Sequence, residues 1–304
     1  AVAGMDLALK RYGTLPLAKL IQPAIDAAER GHPLTYWSAS LHRQAQSKIA
    51  VFPSSVQALT NNGRPFEPAE VFIQSDLART LKTLAKEGAQ SFYRGSLARL
   101  TADFYERQKG LLRFEDLASY EAEEAAPIKT IYKEYEVYQS APNSQGIVLL
   151  IALNILEGFN LQQLGHNSAD YIHVVTEALK LAFADRDRYI ADPRFAKHTP
   201  VDGLLSKDYA AKRRALIRLD QAIQGAAPPG DPQRQTAILE NRSITYEDTR
   251  RTAALLPRAA ASPASQGETS SFSIADRFGN LVSVTHSVNA TFGSGLVVEG
   301  GGYV

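Results

Sequence analysis

Hydroxyl side chains are concentrated around residue 270, where two short runs hold the chain's best candidates for nucleophilic chemistry. Residues 267–276 read GETSSFSIAD, and residues 281–289 read LVSVTHSVN after a turn at residues 277–280. The alternation predicts a β-hairpin with strands at residues 272–276 and 281–289. Because successive side chains on a strand point to opposite faces, His286 should lie on an apolar face, packed into the core. The other, polar face should carry Thr269, Ser271, Ser273, Ser283, Thr285, Ser287 and Asn289.

Thr269 could become a nucleophile if the bond before it were cut. A threonine hydroxyl is weak and needs a base, and a freed α-amino group, with an ordinary pKa of about 7.7–8.0, can serve as one. Residues 224–268, rich in Pro, Gly and Ser, lead into Thr269 and are predicted to form a flexible processing segment. On these residues alone, a simpler interpretation without chemistry is favoured: residues 224–268 are a plain linker, and the hairpin has one face in solvent.

Helical periodicity dominates the chain before that segment. Apolar spacing and glycine stops predict helices at residues 5–12, 15–30, 36–50, 77–87 and 96–109, and again at 147–157, 171–190 and 204–223. Residues 128–140 alternate tyrosine and β-branched residues with charges, which indicates strands. The prediction is an α+β fold in three parts: residues 1–223, mostly helical with strands near 128–140; residues 224–268, the processing segment; and residues 269–304, with the hairpin.

Composition narrows the function classes. The 304 residues include 33 basic and 32 acidic side chains, so a net charge of +1 gives no general attraction to nucleic acid. Cysteine is absent, which excludes disulfides and thiolate chemistry, and no run is long and apolar enough for a membrane span. No phosphate-binding loop or dinucleotide fingerprint occurs, so we expect no cofactor.

Two charged groups on the predicted helix at residues 171–190 could suggest other chemistry. His173 and Glu177 have the i, i+4 spacing of a metal pair, but no third ligand is near in sequence, so a structural role is favoured and no metal is expected. The alternating charges of residues 185–188, beginning with Asp185, are predicted to form surface or interdomain ion pairs.

Several motifs in order resemble the γ-glutamyltranspeptidase family of N-terminal-nucleophile hydrolases. They are residues 2–13 (VAGMDLALKRYG), residues 173–186 (HVVTEALKLAFADR) with Asp192-Pro193 after them, and the run from Thr269 to Asn289 continued by residues 292–295 (FGSG). The resemblance implies a four-layer αββα sandwich, here incomplete and with a large helical portion. It also implies self-cleavage at Glu268–Thr269 into a large and a small subunit that stay together.

The resemblance also implies roles for particular residues. Thr269 matches the catalytic nucleophile. Ser287 stands where the family usually has a threonine that supports the nucleophile, and Asn289 where it has a substrate-binding asparagine. Ser271 replaces a common histidine, which weakens the match to a typical transpeptidase, and residues 143–146 (NSQG) depart from the family's Pro-Ser-Ser-Gly-Gly-like run.

The implied activity is transfer or hydrolysis of γ-glutamyl amides such as glutathione, in the periplasm or outside the cell. A related acylase acting on glutaryl amides, or a non-catalytic relative that keeps only the fold, are the alternatives. Ala1 is not an initiator methionine, and the family's glutamyl-binding arginine, serine pair and oxyanion glycines match no residue here. We therefore expect an internal piece of a longer protein that lacks turnover on its own.

Overall fold

Helices occupy most of the first 118 residues, as the apolar periodicity predicts. The computed structural model describes residues 1–196, 199–232 and 269–304. Two of these helices are followed directly by glycines, Gly31 and Gly88, which have positive φ of 75° and 77°. The elements of this part are α1 (Val2–Tyr12), α2 (Leu17–Arg30), β1 (His32–Pro33), α3 (Tyr36–Gln44), α4 (Gln46–Ile49), α5 (Pro53–Leu59), β2 (Val71–Phe72), α6 (Ser75–Glu87), α7 (Gln90–Tyr93), α8 (Ser96–Arg107) and α9 (Phe114–Ala118).

The middle of the chain begins with the predicted strands and continues with helices. Its elements are β3 (Ile128–Tyr132), β4 (Tyr135–Gln139), α10 (Gly146–Leu156), α11 (Leu161–Leu164), α12 (Ala169–Tyr189), α13 (Val201–Leu205) and α14 (Lys207–Arg214), followed later by β5 (Thr269–Ala275) and β6 (Leu281–Ser287). The described strands pair as three antiparallel two-stranded sheets, β1 with β2, β3 with β4 and β5 with β6.

The chain divides into two units with separate cores. The described residues of unit 1 are 1–123 and 269–304, and those of unit 2 lie between residues 124 and 232. The core of unit 2 forms around α10, which is apolar on all sides and is packed by α12 and α14. The one polar side chain of α10, Asn154, has partners for both ends: the amide oxygen accepts from Thr130 and Lys207, and the nitrogen donates to the carbonyl of Leu205.

The prediction of one long helix at residues 204–223 is wrong. Ser206 separates α13 from α14, because its extended backbone begins a new helix and its hydroxyl accepts a hydrogen bond from the backbone nitrogen of Tyr209. Helix α14 ends at Arg214, and residues 217–230, called the strap below, follow without helix or strand.

Polar side chains on α12, spaced at about one helical turn, hold the strap through its backbone. His173 Nε2 lies 2.7 Å from the carbonyl of Arg218. Glu177 accepts from the backbone nitrogen of Ile223 at 2.9 Å, while Lys180 donates to the carbonyl of the same residue at 2.6 Å. His173 and Glu177 thus both contact the backbone of the strap. No group of three potential metal ligands occurs within the described ranges.

The end of the strap is fixed by a buried ion pair, so the prediction that Asp185 lies at a surface or domain boundary is wrong. Asp185 is 0% exposed and lies 3.1 Å from Arg213, which is 3% exposed. The carboxylate also accepts from the nitrogen of Gly230 at 2.8 Å, and Arg213 donates to the carbonyl of Pro228 at 2.8 Å. Burial raises the pKa of Asp185, against the opposing effects of the Gly230 N–H and the Arg213 charge.

Searched over its described residues, the structure contains no helix long and apolar enough to cross a membrane.

Candidate active site

The predicted hairpin is present, and its register decides which side chains share a face. Strands β5 and β6 are antiparallel, with Thr269 directly opposite Ser287 and Ser271 opposite Thr285. Residues directly opposite in an antiparallel pair lie on the same face, so the predicted polar face is confirmed for the residues within the two strands. The second strand ends at Ser287 rather than at Asn289, so Asn289 lies beyond the ladder. Within the described residues the first strand already includes Thr269, three positions before the predicted start at Phe272, so the candidate nucleophile belongs to the ladder.

Asp276 fixes the turn that sets this register. One carboxylate oxygen accepts from the backbone nitrogens of Phe278 and Asn280 at 2.8 and 3.0 Å, and the other accepts from the Asn280 side chain at 2.8 Å. The hydrogen bond from the Asn280 side chain lowers the pKa of Asp276 most, and the backbone hydrogen bonds lower it further. Gly279 takes the left-handed conformation, φ 84°, that the turn requires. The closed turn keeps Ser287 aligned with Thr269 at the far end.

Ser287 links the candidate nucleophile to the candidate substrate-binding residue. Thr269 Oγ1 donates a hydrogen bond to Ser287 Oγ at 3.0 Å. The same Ser287 oxygen accepts from the backbone nitrogen of Asn289, also at 3.0 Å, and Asn289 leaves the strand with φ 65°. The three residues that the sequence selected therefore lie together. A hydrogen-bonded Thr269 hydroxyl has fewer orientations to lose on approaching a carbonyl carbon.

The apolar face has the predicted residues but not the predicted burial. His286 lies opposite Ser270 and is exposed, so the prediction of a packed core histidine is wrong. Ile274 and Val282 face each other and are 59% and 53% exposed. Alternation fixes which side of a strand a residue takes, but it carries no information about what covers that side.

The other half of the proposed cleavage bond, Glu268, lies outside the described residues, as do residues 233–267 of the predicted processing segment. Residues 224–232 of that segment are described, and Pro228 and Gly230 are held by Arg213 and Asp185 as part of the strap.

Sequence reasoning missed the residues that hold the chain just after the hairpin. Residues 291–303, called the clasp segment, contact helices of the N-terminal half in unit 1. The side chains that bind its backbone or its Tyr303 hydroxyl are Lys48, Ser55, Thr80 and Thr101. The FGSG run at residues 292–295 signals a tight turn, but no local pattern identifies partners so distant in sequence.

His42 lies at the centre of an aromatic group beside the clasp segment. Its ring makes edge contacts with Phe66, Phe72 and Phe292 at centroid distances of 5.4, 5.2 and 4.8 Å. Nδ1 lies 2.9 Å from the carbonyl of Leu59, so this nitrogen carries the proton of a neutral ring. Burial lowers the pKa of His42 below its ordinary 6.5, outweighing the opposing effect of that carbonyl.

The protein is expected to lose stability in mild acid because of His42. Below about pH 6.5 the unfolded chain takes up a proton that the buried ring resists, so stability is full above that pH and falls as pH drops toward the lowered pKa. The urea midpoint should therefore fall less between pH 7.5 and 5.5 in His42→Asn than in wild type. A fall of the urea midpoint between these pH values that is as large in His42→Asn as in wild type would contradict the assignment.

Comparison with known proteins identifies the family. The family model described as gamma-glutamyltranspeptidase matches residues 1–304. The chain belongs to the γ-glutamyltranspeptidase family. The motifs from Val2 to Gly13 and from Thr269 to Asn289 thus correctly indicated the membership of the whole chain.

Relatives within the γ-glutamyltranspeptidase family include both hydrolases and acylases. The chain is 36% identical to "Acylase ACY 1 proenzyme" of Pseudomonas sp. (strain SE83), covering 100% of this chain and 49% of the relative. It is 34% identical to "Glutathione hydrolase proenzyme" of Escherichia coli (strain K12), covering 97% and 46%. The γ-glutamyltranspeptidase of Helicobacter pylori matches in structure with a TM-score of 0.74 and 33% identity, over 79% of this chain and 69% of that one. The chain spans about half the length of these two curated relatives.

Proposed function

We propose that this chain carries the nucleophile of a self-processing enzyme that cleaves γ-glutamyl amide bonds. The observation that carries the proposal is the hydrogen bond from Thr269 Oγ1 to Ser287 Oγ at 3.0 Å, with Asn289 bound to the same oxygen. It occurs in a family whose relatives are named as proenzymes, which supports activation by cleavage.

Self-cleavage would begin with attack of Thr269 Oγ1 on the carbonyl carbon of Glu268. The bond from that carbon to the Thr269 nitrogen breaks, the hydroxyl proton passes to the nitrogen, and an ester joins the two residues. Water then hydrolyses the ester, which leaves a carboxylate on Glu268 and a free hydroxyl and α-amino group on Thr269. Before this step the Thr269 nitrogen is an amide and cannot act as a base, so the uncut chain should be nearly inactive.

In turnover, the freed α-amino group takes the proton of Thr269 Oγ1 as the oxygen attacks the γ-glutamyl carbonyl. The amine of the substrate leaves with that proton, and the glutamyl group remains as an ester on Thr269 until water or an amine acceptor takes it. Ser287 would orient the nucleophile, and Asn289 would bind the α-amino-acid end of the glutamyl group. The large and small subunits would remain associated.

The architecture and location proposed for the whole protein follow the same family. We infer the four-layer αββα sandwich from the family match, which the mixture of helices and strands in the described residues supports. A periplasmic or extracellular location is inferred in the same way.

A glutaryl-amide acylase is the second candidate, because the acylase proenzyme of Pseudomonas is as similar to this chain as the glutathione hydrolase of E. coli. Both reactions use the same nucleophile, and a glutaryl group differs from a glutamyl group by lacking the α-amino substituent. A comparison of kcat/KM for γ-glutamyl and glutaryl anilides by the processed protein would separate the two.

The test of the proposal is the chain composition of the full-length wild-type protein after purification. Intact mass analysis should find two polypeptides, with Thr269 as the first residue of the smaller one, and the processed protein should hydrolyse a γ-glutamyl anilide. A wild-type protein that remains one polypeptide would count against the proposal.

A further inference from the structure

We propose that Ser55 is a positioning residue for Thr269: it fixes the connection between the nucleophile hairpin and the helices of unit 1. This inference rests on the proposed function and adds a residue, remote in sequence, on which both self-cleavage and turnover would depend.

The connection that leaves the hairpin is folded tightly. Asn289, Phe292, Gly293 and Gly295 all have positive φ, at 65°, 55°, 53° and 78°. Glycine adopts positive φ readily, but Asn289 and Phe292 are not glycines, and a left-handed backbone at such residues persists only where the surroundings determine it. At Gly295 a Cβ would lie 2.5 Å from Cγ of Lys48, so the position needs glycine for space as well as for conformation.

Ser55 holds this connection at two points with one hydroxyl. Its Oγ donates to the carbonyl of Gly295 at 2.6 Å and accepts from the backbone nitrogen of Val297 at 2.9 Å. The side chain is 0% exposed, and Val297 is 2% exposed. An alanine here would leave a buried carbonyl and a buried N–H without this partner, which favours a shift of the connection rather than a local gap.

Two further contacts hold the same turn. Lys48 Nζ donates to the carbonyls of Thr291 and Gly293 at 3.0 and 3.2 Å. The Phe292 ring, on a residue with a left-handed backbone, contacts the His42 ring at 4.8 Å. The turn is therefore held from α3, α4 and α5 together.

The position of the nucleophile depends on this connection. The chain passes from Ser287, which accepts from Thr269, through Asn289 to Gly295 in eight residues. Both strands of the hairpin are exposed along almost their whole length, so the turn at residues 289–295 is the anchored end from which they project. A displacement there moves the Thr269–Ser287 pair relative to the helices.

The experiment compares self-cleavage rates of full-length Ser55→Ala and Thr101→Val precursors. Thr101 is a matched control, because its buried hydroxyl contacts the hydroxyl of Tyr303 in the same clasp segment, but beyond the turn. We expect Ser55→Ala to slow self-cleavage about 10- to 100-fold. In its processed form, the fold decrease in kcat should be larger than the fold increase in KM. Thr101→Val should cleave and turn over within about 3-fold of wild type, although it also removes a buried hydrogen bond.

Three results would overturn the inference. One is Ser55→Ala cleavage at the wild-type rate, and another is equal slowing by Thr101→Val, which would indicate a general loss of stability. If Ser55→Ala does not accumulate as folded protein, Lys48→Met is tested in its place, because Lys48 is only partly buried. Self-cleavage of Lys48→Met at the wild-type rate is the third result. A wild type that never splits overturns the proposed function as well, whereas normal wild-type splitting beside normal Ser55→Ala splitting overturns this inference alone.

Discussion

Replacing Thr269 by alanine should keep the full-length protein as one polypeptide and remove its γ-glutamyl turnover. Alanine has no hydroxyl to attack Glu268, so neither the ester nor the free α-amino group forms. Loss of the nucleophile together with its base should lower kcat by at least about a thousand-fold. Intact mass shows the splitting, and hydrolysis of a γ-glutamyl anilide reports the turnover. Thr269→Ser should still split, more slowly, because serine keeps the hydroxyl but lacks the methyl group that restricts χ1.

Ser270 provides the control for this substitution. It is the adjacent residue and carries a hydroxyl, but it lies opposite His286 on the other face of the hairpin. Ser270→Ala should therefore split as wild type does. Normal splitting of Thr269→Ala, or failure of Ser270→Ala with an intact fold, would assign the nucleophile to another residue.

Replacing Asp185 by alanine should destabilise the protein by about 3–5 kcal/mol. The substitution leaves the charge of Arg213 buried and removes the acceptor of the Gly230 nitrogen. The penalty arises mainly from the charge left without its partner, since a buried pair gains little over an apolar pair of similar size. The urea midpoint of the full-length protein, monitored by far-ultraviolet circular dichroism, should fall accordingly.

Two variants separate this cause from a general effect of charge removal. Asp187→Ala removes a neighbouring acid that pairs with Arg186 at the surface, so stability should change by only about 0.5 kcal/mol. The double variant Asp185→Leu with Arg213→Met removes both charges and should recover part of the loss. A double variant less stable than Asp185→Ala would show that the strap contacts, rather than the unpaired charge, dominate.

Much of the hairpin was accessible from sequence because its information is local. Strand alternation gave the faces of Thr269, Ser271 and Ser287, and the Gly279-Asn280 turn gave the pairing. The family resemblance then selected one hydroxyl among several, which alternation alone does not distinguish.

Other features could not be predicted because they depend on distant partners or on competition between similar signals. Ser206 can stand inside a helix or cap one, and only its bond to the Tyr209 nitrogen shows that it caps. Asp185 sits in a run of alternating charges typical of surfaces, and its burial follows from Arg213 on a different helix. No local pattern around Ser55 indicates its role, because its hydroxyl donates to the carbonyl of Gly295, 240 positions away.

The contact between Ser55 and Gly295 also has a consequence for the order of folding. It joins residues 240 positions apart, and closing so long a loop costs chain entropy that must be offset by helices already formed. We therefore expect the turn beside the hairpin to dock late, after α3 to α5 have assembled. A newly made chain would pass through a stage in which Thr269 has been synthesised but the turn that positions it has not yet docked. The rate at which the cleaved form appears would then report when folding is complete.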